Sequence, residues 1–186
     1  MILIDFKVAQ YESFYNQAVD LAAAGQREAA IALYDQAIVH KPDYHEAWYN
    51  RGNALATLGR GEEAIASFEQ AVAIKADKHE AWYNRGIELA ALGRYAAAIE
   101  SYDRAIAIKP DKHEAWYNRA CAYGLLGQTE QATLNLAQAM GLSDRYGLLA
   151  RTDSDFERIR QNQAFQTLVQ GGLQHKPTDP AASDRA

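Results

Sequence analysis

The chain is poor in several things that would give it a simple chemical role. Its single cysteine, Cys121, can close no internal disulfide and build no thiolate zinc cluster, and it suits a reducing compartment. No apolar run approaches the roughly 18 residues of a membrane span. The opening MILIDFKVAQ lacks the basic start and long apolar stretch of a secretory signal, so a cytoplasmic location without a membrane partner is expected. Positive charge is not in excess. With 24 acidic and 19 basic residues the net charge is −5, the wrong sign for displacing counterions from nucleic acid. There is no Gly-rich phosphate loop, no Ser–His–Asp or Cys–His signature and no metal-binding helix motif. No catalytic residue, cofactor or metal is therefore expected, and the chain does not read as an enzyme. Composition does exclude disorder throughout, because 48% of 186 residues are hydrophobic and only 23% are charged.

What the chain has is a repeat. HEAWYNR stands at 45–51, 79–85 and 113–119, a period of 34 residues, and YESFYNQ at 11–17 is a weaker copy one period upstream. Four units follow, at 11–44, 45–78, 79–112 and 113–146. Within each, an aromatic (Phe14, Trp48, Trp82, Trp116) is followed four residues on by a small residue (Ala18, Gly52, Gly86, Ala120). Three further on comes Leu21, Leu55, Leu89 or Tyr123. Offsets of four and three lie on one helix face. Gly25, Gly59, Gly93 and Gly127 then stand where a residue able to take positive φ ends the helix. A second stripe follows: Ala30, Ala64, Ala98 and Ala132, then Tyr34, Phe68, Tyr102 and Leu136, then Ala37, Ala71, Ala105 and Ala139. Each unit reads as a helix–turn–helix hairpin whose small residues let two helices approach.

This pattern resembles the tetratricopeptide repeat family, matched most fully at Trp82, Gly86, Gly93, Ala98, Tyr102, Ala105 and Pro110. The resemblance implies an all-α fold, a right-handed α-solenoid of stacked helix–turn–helix hairpins, acting as a protein-interaction module. Two positions depart from the family pattern. Arg51, Arg85 and Arg119 replace its usual Leu, and its late Pro survives only as Pro42 and Pro110, with Ala76 and Asp144 in the other units.

Outside the repeats, residues 1–10 form an N-terminal extension that suits a short strand or an extended wrap. Residues 147–170 read as a capping segment over the last hairpin, similar to the D-x-D-F…R…F ending of bacterial members of the family. There Ser154 and Glu157 have capping-box spacing, Phe156 and Ile159 point inward, and Asn162 suits a cap for a helix carrying Phe165, Leu168 and Val169. Residues 171–186 are Gly-, Pro- and Ser-rich without periodicity and are expected to be disordered.

Function should lie on the helix face that packing leaves free, which on stacking lines the concave side. That face carries Glu12, Glu46, Glu80 and Glu114, then Tyr15, Tyr49, Tyr83 and Tyr117, then Asn16, Asn50, Asn84 and Asn118. Asn is a mediocre helix former, so four in mid-helix need a reason. Its amide both donates and accepts, which suits it to grip a peptide backbone, and helices roughly 8–10 Å apart would meet an extended chain about every third residue. The row is similar to the asparagine ladder of O-linked N-acetylglucosamine transferases, which implies the same use. Bonding between neighbouring repeats is the other role the row suits. The Tyr row fits a ligand platform and inter-repeat packing equally. Asp43 to Glu46, Asp77 to Glu80 and Asp111 to Glu114 have capping-box spacing, so the Glu row can satisfy helix N-termini while lending the groove negative potential.

His45, His79 and His113 sit one per repeat, too far apart to share a metal ion. Arg51, Arg85 and Arg119 should lay their stems over apolar surface and pair with acids, and Cys121 reads as a small filler. The expected partner is a protein or peptide, a neutral or basic extended segment held in the groove. The Lys- and Arg-lined clamp with which some family members hold acidic chaperone C-termini is not expected, because its place is taken by Glu and Tyr. A monomer is favoured, with the oligomeric state open. The alternative is an assembly subunit that docks through its convex face or terminal repeats.

Overall fold

The computed structural model describes residues 2–171, with side chains described from residue 10 onward. The tail expected to be disordered lies outside the described residues, except Gly171, which ends the last helix. In order, the helices are α1 (Ile2–Ala23), α2 (Arg27–His40), α3 (His45–Thr57), α4 (Gly61–Ile74), α5 (His79–Ala91), α6 (Tyr95–Ile108), α7 (His113–Leu125), α8 (Thr129–Leu142), α9 (Arg145–Thr152) and α10 (Gln163–Gly171). A 3-10 helix, Ser154–Ile159, precedes α10. No strand occurs among the described residues. The N-terminal extension is neither strand nor wrap. No Gly or Pro interrupts residues 2–23, so the first helix simply continues upstream to Ile2. No described helix is long and apolar enough to cross a membrane.

Each turn within a hairpin closes the same way. Gly25, Gly59, Gly93 and Gly127 take φ of 80°, 74°, 74° and 73°. Around the first, Gln26 N–H donates to the Leu21 carbonyl and Gly25 N–H to that of Ala22, the paired bonds of a Schellman ending. The Ala–aromatic–Ala stripe of the second helix is buried throughout, from Ala30 and Tyr34 to Leu136 and Ala139. Its bulk fits because the facing helix is hollowed. A Cβ placed on Gly52 would stand 2.6 Å from the Phe68 ring, and one on Gly86 2.5 Å from Tyr102. Filling that space would force the ring aside at a cost of about 1–3 kcal/mol.

The chain forms two compact units, one through Ala115 and one from Trp116 onward. In the first, α1–α2, α3–α4 and α5–α6 pack as hairpins and each leans on the next. Polar bonds fix the stacking. Trp48 Nε1 donates to the Pro42 carbonyl and Trp82 Nε1 to that of Ala76, both at 2.9 Å, so this position needs only a carbonyl and tolerates Ala in place of Pro. Arg51 donates to Asp35 on the preceding hairpin and to buried Ser67 on its own, each at 2.7 Å. Arg85 repeats this with Glu69 and Ser101. An Arg in the usual Leu position is thus a polar latch between hairpins.

In the second unit, α9, the 3-10 helix and α10 cover the last hairpin. Tyr146, Phe156, Ile159, Phe165 and Val169 form one core with Tyr117, Ala120, Leu136 and Ala139. The segment is capped one residue earlier than its sequence suggests. Asp153, not Ser154, accepts from the Asp155 N–H at 3.0 Å, while Glu157 pairs with Arg160. Asn162 Oδ1 accepts from Ala164 and Phe165 N–H groups and starts α10.

Candidate functional site

In the first unit α1, α3 and α5 are neighbours and form one wall. Asn50, on α3, donates through Nδ2 to the Tyr15 hydroxyl of the preceding hairpin at 2.9 Å. Asn84, on α5, donates to the Tyr49 hydroxyl at 3.4 Å and to Asn53 Oδ1 at 2.8 Å. The amide N–H groups therefore do bond between repeats. The carbonyl oxygens of Asn50 and Asn84 accept nothing from the described residues, and Asn50 borders a cavity of about 300 Å³. Asn16 is exposed on α1, and Asn118 lies half-buried in the second unit.

The tyrosines are hinge pins rather than a free platform. The rings of Tyr15, Tyr49 and Tyr83 lie 5.9, 6.0 and 6.1 Å from Tyr34, Phe68 and Tyr102 of their own hairpins. Lys78 Nζ stands 4.4 Å over Tyr49 and Lys112 Nζ 4.6 Å over Tyr83, within cation–π range. In the first hairpin, Tyr44 takes the place of these lysines, 4.9 Å from Tyr15. Burial, then the Glu46 charge, raises the Tyr15 pKa against the lowering effect of the Asn50 bond, so the phenol stays protonated.

The glutamates depart from the capping-box expectation. The residue before α3 is Tyr44 and before α5 Lys78, and neither gives a side-chain cap, so the aspartates sit too far upstream to close a box. Instead each Glu is answered in its own turn. Glu46 meets His45 at 3.1 Å, Glu80 meets His79 at 3.5 Å and Lys78 at 3.8 Å, and Glu114 meets Lys112 at 3.1 Å and His113 at 3.3 Å. Burial alone would raise the Glu80 and Glu114 pKa values, but their own backbone N–H groups and Lys78 or Lys112 outweigh it and lower both. Lysines thus offset the charge of Glu80 and Glu114, whereas Glu46 has only a histidine whose pKa is lowered.

Tyr117 is a correction. It is 5% exposed, stacked on Tyr146 at 4.5 Å, and its hydroxyl donates to Asp153 Oδ2 at 2.6 Å. The capping segment lies over the face that the same row presents in the first unit. Gly124 makes the contact possible, since a Cβ there would stand 2.7 Å from the Asp155 carbonyl oxygen. Cys121 is buried beside it, its Sγ 3.9 Å from Asp153 Oδ2. Burial, then the charges of Asp153 and Asp155, push the thiol pKa far up, and burial also raises that of Asp155. Cys121 Sγ and carboxylate oxygens of Asp153 and Asp155 lie within 4.8 Å of one another, with the protonated thiol and phenol both turned to Asp153.

The cavity on the first wall brings in Asn53 and Arg27, which belong to no row, together with Tyr34 from the buried stripe of α2. Asn53 occupies a position held by Val19, Ile87 and Cys121 in the other units, so no recurring signal marks it.

Three models of the tetratricopeptide repeat match the chain, over residues 15–81, 79–112 and 101–133. The chain is a tetratricopeptide-repeat protein. Solved structures of the same fold include the MamA protein, 19% identical over 93% of this chain and 97% of that one, with a TM-score of 0.76. YrrB, described as a TPR protein with an unusual peptide-binding site, is 19% identical over 89% of this chain and 86% of its own, with a TM-score of 0.73. The first TPR of Spaghetti (RPAP3), bound to the HSP90 peptide SRMEEVD, is 21% identical over 63% of this chain and 94% of its own, with a TM-score of 0.62. At these identities the likeness is one of fold. No curated protein matches the sequence of this tetratricopeptide-repeat chain.

Proposed function

We propose that the chain is a protein-interaction scaffold that holds an extended segment of a partner against the α1–α3–α5 wall, with Asn50 and Asn84 gripping its backbone. The observation that carries this reading is the division of labour within each amide. Nδ2 is anchored on the preceding hairpin, by Tyr15 for Asn50 and by Asn53 and Tyr49 for Asn84, which fixes the side chain, and Oδ1 is left to accept a peptide N–H. The grip is one-sided, by acceptors, where the sequence suggested both donor and acceptor. Peptide binding by YrrB and by the RPAP3 repeat domain supports the class of ligand.

The test uses an immobilised library of capped, uncharged dodecapeptides and the full chain. Each net hydrogen bond is worth about 0.5–1.5 kcal/mol, so Asn50→Ala with Asn84→Ala should weaken binding about tenfold or more. Tyr15→Phe with Tyr49→Phe removes the inter-repeat bonds to tyrosine but keeps the Asn84–Asn53 bond and both amide oxygens, and serves as the stability control. Equal affinity of the Asn double variant and the wild type would remove the amides from recognition and leave them as mortar between hairpins.

A further inference from the structure

One junction between hairpins breaks the repeat on both of its sides. The tenth residue of a unit is the exposed Asp20 in the first, then Ala54 in the second and Ala122 in the fourth. These alanines are 6% and 1% exposed, so a small apolar side chain suits the position. In the third unit it is Glu88, half-buried near the end of α5. The seventeenth residue is Arg27, Tyr95 or Thr129 in three units, but Gly61 in the second. The two exceptions meet. A Cβ on Gly61 would stand 3.2 Å from Glu88 Oε2 and 3.6 Å from Leu92 Cδ1, so the glycine leaves a hollow over which carboxylate and leucine both lean.

A carboxylate in this place is a cost to the free chain. Burial raises the Glu88 pKa, and no hydrogen bond or ion pair reaches its side chain from the described residues. The arginines of this edge are engaged elsewhere. Arg60 pairs with Glu63 at 2.6 Å and with Glu28 at 3.2 Å, and Arg94 pairs with Glu62 at 3.2 Å. Glu28, Glu62 and Glu63 thus take both arginines, and Glu88 is left over. The same edge carries two leucines that packing leaves out. Leu58, three residues before Gly61, is 39% exposed, and Leu92 is 45% exposed. An acid beside exposed leucines matches a long basic side chain, whose apolar stem can lie on the leucines while its head reaches the acid. Arginine suits it best, because its planar fork gives a carboxylate two charge-assisted bonds and is more weakly hydrated than an ammonium.

We infer that the turn edge formed by Leu58, Gly61, Glu88 and Leu92 is a docking surface for an arginine side chain of a partner protein, its stem on the leucines and its guanidinium on Glu88. The inference uses neither Asn50 nor Asn84 and does not rest on the groove reading above. Charge selects the occupant. An apolar or acidic partner covering this edge would bury Glu88 further with no cation to answer it.

The full chain, labelled for NMR, is titrated with N-acetyl-arginine N-methylamide and with its citrulline counterpart, which keeps the length and loses the charge. The arginine compound should shift the Leu58 and Leu92 methyl signals and the Gly61 amide at millimolar concentration, and the citrulline compound none of them. Glu88→Gln should weaken the response about tenfold or more. Guanidinium chloride, a head without a stem, should give a weaker response than the arginine compound at equal concentration. Without ligand, Glu88→Ala should melt no lower than the wild type, since Ala54 and Ala122 pack in the same position. An equal response to the citrulline compound or to guanidinium chloride, or an undiminished one in Glu88→Gln, overturns the assignment. A stronger response to magnesium chloride would make Glu88 a metal contact, and a clear loss of melting temperature in Glu88→Ala would make it a structural residue; either result overturns the docking surface. The peptides of the Asn50 and Asn84 test are uncharged and carry no arginine, so the two readings can fail separately.

Discussion

The two units put the same row of residues to different uses. In the first, Tyr15 and Tyr49 are half-buried and their hydroxyls accept from Asn50 and Asn84, so the wall stays open beside them. In the second, Tyr117 is buried and its hydroxyl donates to Asp153 of the chain's own capping segment. The difference comes from what lies on top. A residue type that is an edge of a groove when solvent covers it becomes a core residue when a 3-10 helix does. Gly124 stands where Ala22, Ala56 and Ala90 stand in the first unit, and that lost methyl is what admits the Asp155 backbone.

The comparison can be broken most forcefully at Phe156, which is fully buried and touches both Tyr117 and Phe165. Phe156→Ala should cost about 3–5 kcal/mol in the second unit. It should also open Tyr117 to collisional quenching of its fluorescence, as Tyr49 already is. Unchanged protection of Tyr117 would mean that the cap does not cover the row.

A smaller effect sharpens the contrast between tyrosines. Tyr117→Phe leaves the part-buried Asp153 carboxylate without its phenol donor and should cost about 1–3 kcal/mol in chemical denaturation. Tyr15→Phe removes a neutral bond at a wetter site and should cost about 0.5–1.5 kcal/mol. Equal losses would show that the two hydroxyls do the same job.

The smallest effect is one of pH and belongs to the first unit. Burial, partly offset by Glu46 and reinforced by Lys75 and Lys78, holds His45 below its ordinary pKa of 6.5. Since the folded state disfavours the imidazolium, its contribution is fully present above the unfolded value. It is lost as pH falls from about 6.5 through the lower folded pKa. The melting temperature should therefore drop on acidification across this window, and His45→Gln should flatten that drop. An identical pH profile in the variant would remove His45 as the cause.

The hairpins were legible because their signals are local and repeat. A glycine able to take positive φ, a small residue opposite an aromatic and a buried alanine stripe each depend on neighbours within one unit, and each recurs at Gly59, Gly52 and Ala64. The candidate wall was legible only in its periodic part. Asn50 and Asn84 stood out as a row, whereas Arg27 and Asn53 border one cavity because α2 and α3 converge, and nothing in their spacing says so. The helix starts were misjudged by one residue at both Asp43 and Ser154, since a capping box and its near neighbours look alike until the backbone shows which N–H is unpaired.

By itself the sequence determined the architecture of helix pairs and their family, because helical periodicity and turn chemistry act over a few residues and are written in order along the chain. Only the tertiary structure decided which atoms of each side chain are spent. It gave Asn50 Nδ2 to Tyr15 and Tyr117 Oη to Asp153, while Tyr34 and Arg27 border a cavity. Those pairings are set by which surfaces meet through space, and residues 35 or 36 positions apart carry no local mark of meeting.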